Sequence, residues 1–461
     1  YTPEQLERRT RWAKNTLNGW QPDVVITSSP IPFIQCAYPD AVVLHYEYGM
    51  TSRPPFPETF YLDPLGYYKH CFLAQHSHQI QAHCLTEDEK AALDSYREYY
   101  IQLIKSKNPF EDFIHRLQDK FSHLVLAPLQ VSRNYWFDGN CIFTTQFQFI
   151  QFLLSQIPPH IGVIFTPHPD YPVFTPEIVA YLRETYPNFL YTPEFENFQS
   201  ASQYLLHAVD AVLSVSSMVG LQALIWKKKL ISLGESQLTA AADLKLDSTG
   251  AGLDKLLAVL EAPNSDHDAF LYWLISRYYA PASIFYNPTW FSSYLDRAME
   301  LHREKADYLP LFQPFTTPQE LATRLIRDGN HNIPVRKAPK EAPADRQPYY
   351  FGEGFYSEEN GWRWIKNEGE FYISASELPA ALEFRLSCGK AEYYPKFPLE
   401  VKIILGDKVV EKVLFTKSEQ ELPVKIQAPA SQGDVCLQIV SSDSYCPFEV
   451  GINQDLRHLS V

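Results

Sequence analysis

Over its first two thirds the chain alternates short apolar runs with segments whose apolar residues recur at helical spacing. Residues 4–18 carry the helical period, and 23–27 is a short apolar strand that breaks into Ser28, Ser29, Pro30, Ile31 and Pro32. Residues 41–45 predict the next strand. It runs into HYEYGMTSRPPFPETFYLDPLG, a proline-rich stretch of about twenty residues that reads as a loop carrying Glu47, Arg53 and Asp63. A structureless loop of that length in a compact domain is usually functional, and Glu47 stands closest to the strand end. Helices are predicted over 87–105 and 108–121, a strand over 123–127 and a helix over 143–156. Residues 162–165 then read as a buried strand, 176–185 as a helix, 189–191 as a short strand and 201–206 as helical. A strand at 211–215, a helix at 219–226 and a strand at 230–233 complete the series. Strand and helix in strict alternation predict a doubly wound parallel sheet.

Aromatic-rich helical segments occupy 252–325; the first of them close the second sheet, and others are placed to fold back on the first. The run 328–347, rich in Lys, Pro, Ala and Asp, reads as a linker. Beyond it the period changes. Short strands at 371–374, 382–386, 399–405, 409–415, 423–426 and 435–440 are separated by Gly, Pro, Asp and Ser clusters, the signature of a β-sandwich. The expected architecture is α/β followed by all-β: a Rossmann-like domain over 1–121, a second over 122–330 with closing helices, a linker over 331–347 and a sandwich over 348–461. Trp362 and Trp364 share one face of the sandwich's opening segment, which reads as core in preference to a sugar platform.

Composition narrows the function. A length of 461 residues calls for two or three domains, and 14% aromatic content supplies both packed cores and sugar-stacking surfaces. A net charge of −14 argues against a nucleic-acid partner, because phosphate neutralisation needs a basic face. The seven cysteines are odd in number and lack any CxxC pair, so neither a disulfide framework nor a zinc site is indicated, and a reducing cytoplasm fits. His76, His78 and His83 lack carboxylates at ligand spacing, and no metal is expected. No apolar run approaches the ~18 residues of a membrane span and no signal peptide is visible, so membrane contact, if any, is peripheral.

Candidate chemistry gathers at predicted strand ends. His168 sits in TPHPD between Pro167 and Pro169, where proline stops ladder pairing and fixes the loop. Ser216 and Ser217 follow another buried strand and are placed to cap the helix after them. Ligands of open α/β sheets bind at the carboxyl ends of strands, and a helix start suits a phosphate, so these residues form a candidate phosphate cradle. A polar cluster of Gln130, Arg133, Asn134 and Asp138 lies past a third strand end.

The motifs PLQVSRN, TPHPD and SSMVGLQALIWKKKLISLG, with EYGMTSRPPFP and DPLG before them, resemble the capsule-synthesis glycosyltransferase family, which includes the retaining β-Kdo transferases of capsule and O-antigen assembly. The resemblance covers residues 40–235. It implies a GT-B-like pair of Rossmann-like domains with the active site between them, and a CMP-Kdo donor with no metal required. By the same resemblance Gln130, His168, Pro169, Ser216, Ser217 and Gly220 hold the nucleotide, Arg53 contacts substrate, and Glu47 is an acid/base candidate. The acceptor is an oligosaccharide or lipid-linked glycan, and the setting is the cytoplasm or the inner face of the inner membrane. Two departures stand out. The family's Gln-x-x-x-Asp places its nucleophile where this chain has Asn134, leaving Asp138 as substitute, and Gln222 stands where the family carries Glu. The alternatives are a GT-B transferase using another nucleotide sugar, an inverting one with Asp138 or Glu47 as base, and a non-catalytic carbohydrate-binding assembly subunit. The ends of the last domain, GFYSEENGWRW and PFEVGINQDLRHLSV, resemble a β-sandwich module fused to bacterial polysaccharide glycosyltransferases.

Overall fold

The computed structural model describes residues 3–117, 120–132, 134–169, 171, 173–198, 200–321, 323, 349–352, 354–356, 363–373, 380–406, 408–427, 435–445 and 459–461. The expected linker at 331–347, Arg133 and Trp362 lie outside these. The chain divides into two compact units, Tyr1–Tyr171 with Tyr186–Pro339, and Pro172–Thr185 with Lys340–Val461.

The first unit holds two sheets. In the first, β1 (Val24–Thr27) and β2 (Val42–Tyr48) run parallel, and β3 (Thr59–Asp63) runs antiparallel to β2 with His45 opposite Asp63 and Tyr48 opposite Phe60. The long loop expected here is therefore a hairpin. Thr59, Phe60, Tyr61, Leu62 and Asp63 are all buried, so the strand shows no polar alternation and blends into the proline-rich sequence around it. Ser52 closes the 49–58 connection, donating to Thr59 O at 2.6 Å and accepting from Thr59 N at 3.0 Å. Gly49 is required there, since a Cβ would meet Thr59 Oγ1 at 2.2 Å.

The second sheet is parallel throughout. Its strands are β4 (His123–Pro128), β5 (Ile161–Thr166), β6 (Phe189–Leu190), β7 (Ala211–Ser214), β8 (Lys229–Leu233) and β9 (Leu244–Leu246), in the order β6-β5-β4-β7-β8-β9. Every residue of β5, β7 and β8 is buried, as expected of central parallel strands covered on both faces by helices. The helix Gln146–Gln156 starts at Thr145, whose side chain accepts from Gln148 N. The strand-helix alternation read from the sequence is the one observed, with β9 added.

The chain then returns to the first sheet. β10 (Ala280–Pro281) pairs antiparallel with β3, so the aromatic-rich helical segments pack on that sheet. Tyr294 donates to Leu62 O at 2.6 Å, and Tyr278 donates to Asp63 Oδ2 at 2.6 Å. Phe285 lies 4.8 Å from Phe60, ring centre to ring centre. Much of the aromatic content of 270–294 is thereby explained, since Tyr278, Phe285 and Tyr294 pack against residues of β3.

Among the described residues the second unit is β-strand apart from the helix Pro176–Thr185 and a short 3-10 turn at Ala391–Tyr393. β11 (Tyr349–Phe351), β12 (Glu368–Ile373), β13 (Ala381–Ser387), β14 (Leu399–Leu405), β15 (Lys408–Phe415), β16 (Glu421–Gln427) and β17 (Val435–Ser441) form a five-stranded sheet, β11-β12-β17-β14-β15, and a separate β13-β16 pair, antiparallel throughout. Alternate residues Leu399, Val401 and Ile403 of β14 and Leu437 and Ile439 of β17 point into one core. Trp364 packs against that core, edge-on to Tyr445. One sequence expectation is corrected. The helix Pro176–Thr185 lies between β5 and β6 in the chain but belongs to this unit, where it packs on β11 and brings Glu177 to 3.8 Å from the Arg363 guanidinium.

Candidate functional site

A cleft of about 290 Å³ opens where the carboxyl ends of β4, β5 and β7 face the β2–β3 hairpin. Of the residues singled out in the sequence it gathers Glu47 and Arg53 from the hairpin, Gln130 after β4, His168 and Pro169 after β5, and Ser216 and Ser217 after β7. Strand ends converge because the strands are parallel, which is why residues more than a hundred positions apart line one cavity.

Glu47 is the next-to-last residue of β2. Its Oε1 accepts from Tyr48 N at 2.8 Å. Burial pushes its carboxyl above the ordinary glutamate range, against the Tyr48 N–H and the nearby Arg53 charge, which act the other way. Arg53 donates to Ser52 O at 3.0 Å, and its guanidinium carbon stands 5.2 Å from the Tyr48 ring centre. Arg53 and His168 are the basic side chains of the lining.

Gln130 and Ser216 bind each other. Gln130 Nε2 donates to Ser216 Oγ at 2.7 Å, Ser216 N donates to Gln130 Oε1 at 3.2 Å, and Ser216 Oγ in turn donates to Trp136 O. This double latch joins the ends of β4 and β7. The capping expected of Ser216 is absent: the helix Val219–Ile225 starts after Met218 with no side-chain cap, and Ser217 Oγ makes only a 3.4 Å contact from Val219 N. The reason is geometric, since the Ser216 hydroxyl is already engaged across the strand ends. His168 is held in a tight return in which Tyr171 N donates to His168 O at 3.2 Å. Thr166, at the end of β5, shares a 2.6 Å hydrogen bond with Ser202, which also lines the cleft.

Three predicted residues lie outside the lining. Asn134 is half-buried beyond Gln130; its backbone oxygen accepts from Phe137 N at 2.8 Å and Asp138 N at 3.1 Å, and its side-chain oxygen is buried without a partner. Asp138 is exposed in that turn. Gly220 is buried in its helix, where a Cβ would come within 2.9 Å of Leu230 and 3.0 Å of Leu238, so its position is one of packing. Asp63, in the stretch first read as a loop, is fully buried and accepts from Leu65, Gly66 and Phe72 N–H groups and the Tyr278 hydroxyl.

Sequence reasoning missed Tyr61, Tyr68, Trp136, Gln203 and Gln237, all in the lining. Gln203 and Gln222 pin the hairpin to the second sheet's helices, donating to Pro54 O at 2.7 Å and to Met50 O respectively. No spacing marks such residues; only the folded chain brings them to the cleft.

A six-stranded parallel sheet whose strand ends meet a hairpin from a second sheet around a cleft defines a two-sheet α/β protein with a candidate ligand site at the sheet's carboxyl edge. Residues 57–241 match the family model described as capsule polysaccharide biosynthesis protein. No curated protein matches the chain. Among solved structures it is similar to the Thermosulfurimonas dismutans KpsC β-Kdo 2,7 transferase, at 15% identity over 65% of this chain and 90% of that one, with a TM-score of 0.39. The same organism's KpsC β-Kdo 2,4 transferase gives 15% identity, 61% and 88% coverage and a TM-score of 0.33. The Methanocaldococcus jannaschii UDP-GlcNAc 2-epimerase gives 14%, 58% and 79%, and 0.29.

Proposed function

We propose that the chain is a glycosyltransferase of bacterial surface polysaccharide biosynthesis that moves Kdo from CMP-Kdo to a saccharide or lipid-linked glycan acceptor. The observation that carries this reading is the cleft itself, which puts one half-buried carboxyl, Glu47, in the same lining as two basic side chains, Arg53 and His168, at the strand ends of the segment that matches the capsule family model. The donor's phosphate is the leaving group, and Arg53 and His168 are the groups suited to meet its charge. The choice of Kdo follows from the motif resemblance.

In transfer the anomeric carbon–oxygen bond to the phosphate breaks with its electrons leaving on CMP, a new bond forms to the acceptor oxygen, and that oxygen loses its proton. Glu47 is the group that takes it. Its raised pKa suits an acid/base residue working nearer neutrality than an ordinary glutamate. Glu47→Gln should lower transfer by roughly 10²–10⁴-fold. The pH–rate profile of the parent should carry a limb above the ordinary glutamate range that is missing in the variant; a limb that persists in the variant excludes Glu47 from proton transfer.

His168→Ala should weaken CMP binding by roughly 10-fold or more, the loss expected of one hydrogen bond to a charged phosphate. Calorimetry and a melting curve check this together. Unchanged affinity in a folded variant would remove His168 from the phosphate site.

A second reading, a non-catalytic sugar-binding subunit, is favoured by one observation: residue 134, where the motif resemblance puts the family's nucleophile, is an amide, and both it and the exposed Asp138 lie outside the lining. Retention by double displacement needs an ionised oxygen that an amide lacks.

A further inference from the structure

Three glutamines of the cleft share the same incomplete bonding. Gln203, Gln222 and Gln237 are 1%, 4% and 4% exposed, and all three line the cavity. In each the amide nitrogen is committed to a backbone carbonyl: Gln203 Nε2 to Pro54 O at 2.7 Å, Gln222 Nε2 to Met50 O, and Gln237 Nε2 to Ser216 O at 2.6 Å. A carbonyl only accepts, so these bonds fix which end of each amide faces which way. The three Oε1 atoms are left buried with no hydrogen-bond partner. Buried polar atoms are nearly always satisfied, and leaving an acceptor orphaned is costly. Three of them around one cavity specify a ligand that donates.

We infer that Gln203, Gln222 and Gln237 form an acceptor wall that binds the hydroxyl groups of a sugar. A phosphodiester or carboxylate has no proton to give at neutral pH, and its charge would face the negative ends of three amide dipoles. Anionic parts of a ligand belong instead with Arg53 and His168 in the same lining. An ammonium could donate to the wall, but it would enter a cavity that already holds the Arg53 charge, whereas hydroxyls add none. The cleft thus sorts a two-part ligand, anion toward the basic residues and polyol toward the glutamines. This rests on the nucleotide-sugar reading for the two-part ligand, while the donor requirement rests on the three orphaned oxygens alone.

The test has a ligand side and a protein side. With the unaltered full chain, saturation-transfer NMR should detect binding of free monosaccharides, including Kdo, and lose it for their O-methylated counterparts, which keep the oxygens but carry no O–H. Equal binding of methylated sugars, or no binding of any monosaccharide, overturns the inference. On the protein side, Gln203→Leu and Gln237→Leu should each weaken CMP-Kdo binding by about 2–10-fold, the range of one neutral hydrogen bond, and leave inorganic pyrophosphate binding unchanged. A purely structural role would instead lower both affinities together with the melting temperature. Should no nucleotide sugar bind while free monosaccharides still do, the transferase reading fails and the acceptor wall stands.

Discussion

Asn134→Asp should raise sugar transfer by on the order of 10²-fold or more and allow a donor-derived adduct to be trapped on residue 134. The argument is chemical, and it requires the turn carrying residue 134, which lies outside the lining in this structure, to present that side chain to the cleft. A covalent glycosyl-enzyme needs an ionised oxygen about 3 Å from the anomeric carbon, and a neutral amide oxygen is a poor nucleophile at any working pH. As it stands the chain should bind donor and turn it over slowly. The same substitution should lower stability by roughly 1–3 kcal/mol, because the side-chain oxygen at this position is buried without a partner and a carboxylate there is worse solvated than an amide. A gain in rate at a loss in melting temperature is the expected pattern. Efficient transfer by the parent, unchanged in Asn134→Asp and abolished in Asp138→Asn, would assign the catalytic carboxylate to Asp138 instead.

Asp63→Ala should be the most damaging single change in the first sheet. The carboxylate accepts four hydrogen bonds, from Leu65 N at 2.8 Å, Gly66 N at 3.1 Å, Phe72 N at 2.7 Å and Tyr278 Oη at 2.6 Å. Removing it strands four donors in the core. At about 1–3 kcal/mol for each unsatisfied group the loss is at least about 4 kcal/mol, enough to unfold many domains. Asp63→Asn should be milder, since one oxygen survives for Leu65 N and Gly66 N and the Tyr278 hydroxyl can reverse its role, with only Phe72 N–H left facing the amide nitrogen. Burial raises the Asp63 carboxyl to about 6 from an ordinary 3.8, outweighing those hydrogen bonds. The folded state therefore holds the proton more tightly than the unfolded chain. Its contribution is complete below about 4 and is lost as pH rises toward 6, a fall of about 3 kcal/mol that should be missing from the Asp63→Asn denaturation profile. An identical pH profile in the variant would refute this assignment.

How much of this was legible depends on burial. The stretch from β5 to β8 could be read because central parallel strands are continuous apolar runs set off by helices of a different period. The loops that follow, with His168, Ser216 and Ser217, came with them. β3 was hidden for the opposite reason: Thr59–Asp63 is buried on both faces and begins among prolines, so neither alternation nor a turn signal marks it. β9 and β10 span three and two residues, and only their neighbours make them strands. The helix Pro176–Thr185 has an ordinary amphipathic period, which says that one face is covered but not by which unit. Gly220 looked like a ligand glycine next to the paired serines, and its close contacts are with Leu230 and Leu238. Gln203, Gln222 and Gln237 are single polar residues whose meaning appears only when their amide nitrogens find Pro54, Met50 and Ser216.

The most direct test of the proposed activity is a donor panel. CMP-Kdo, a UDP-sugar and a GDP-sugar should be incubated in parallel with the intact chain and with Asn134→Asp, and nucleotide release and sugar transfer followed. CMP release from CMP-Kdo, slow with the parent and markedly faster with Asn134→Asp, is the expected result. Turnover of a UDP- or GDP-sugar with none of CMP-Kdo would contradict the donor assignment, and no turnover of any donor by either protein would contradict the transferase itself.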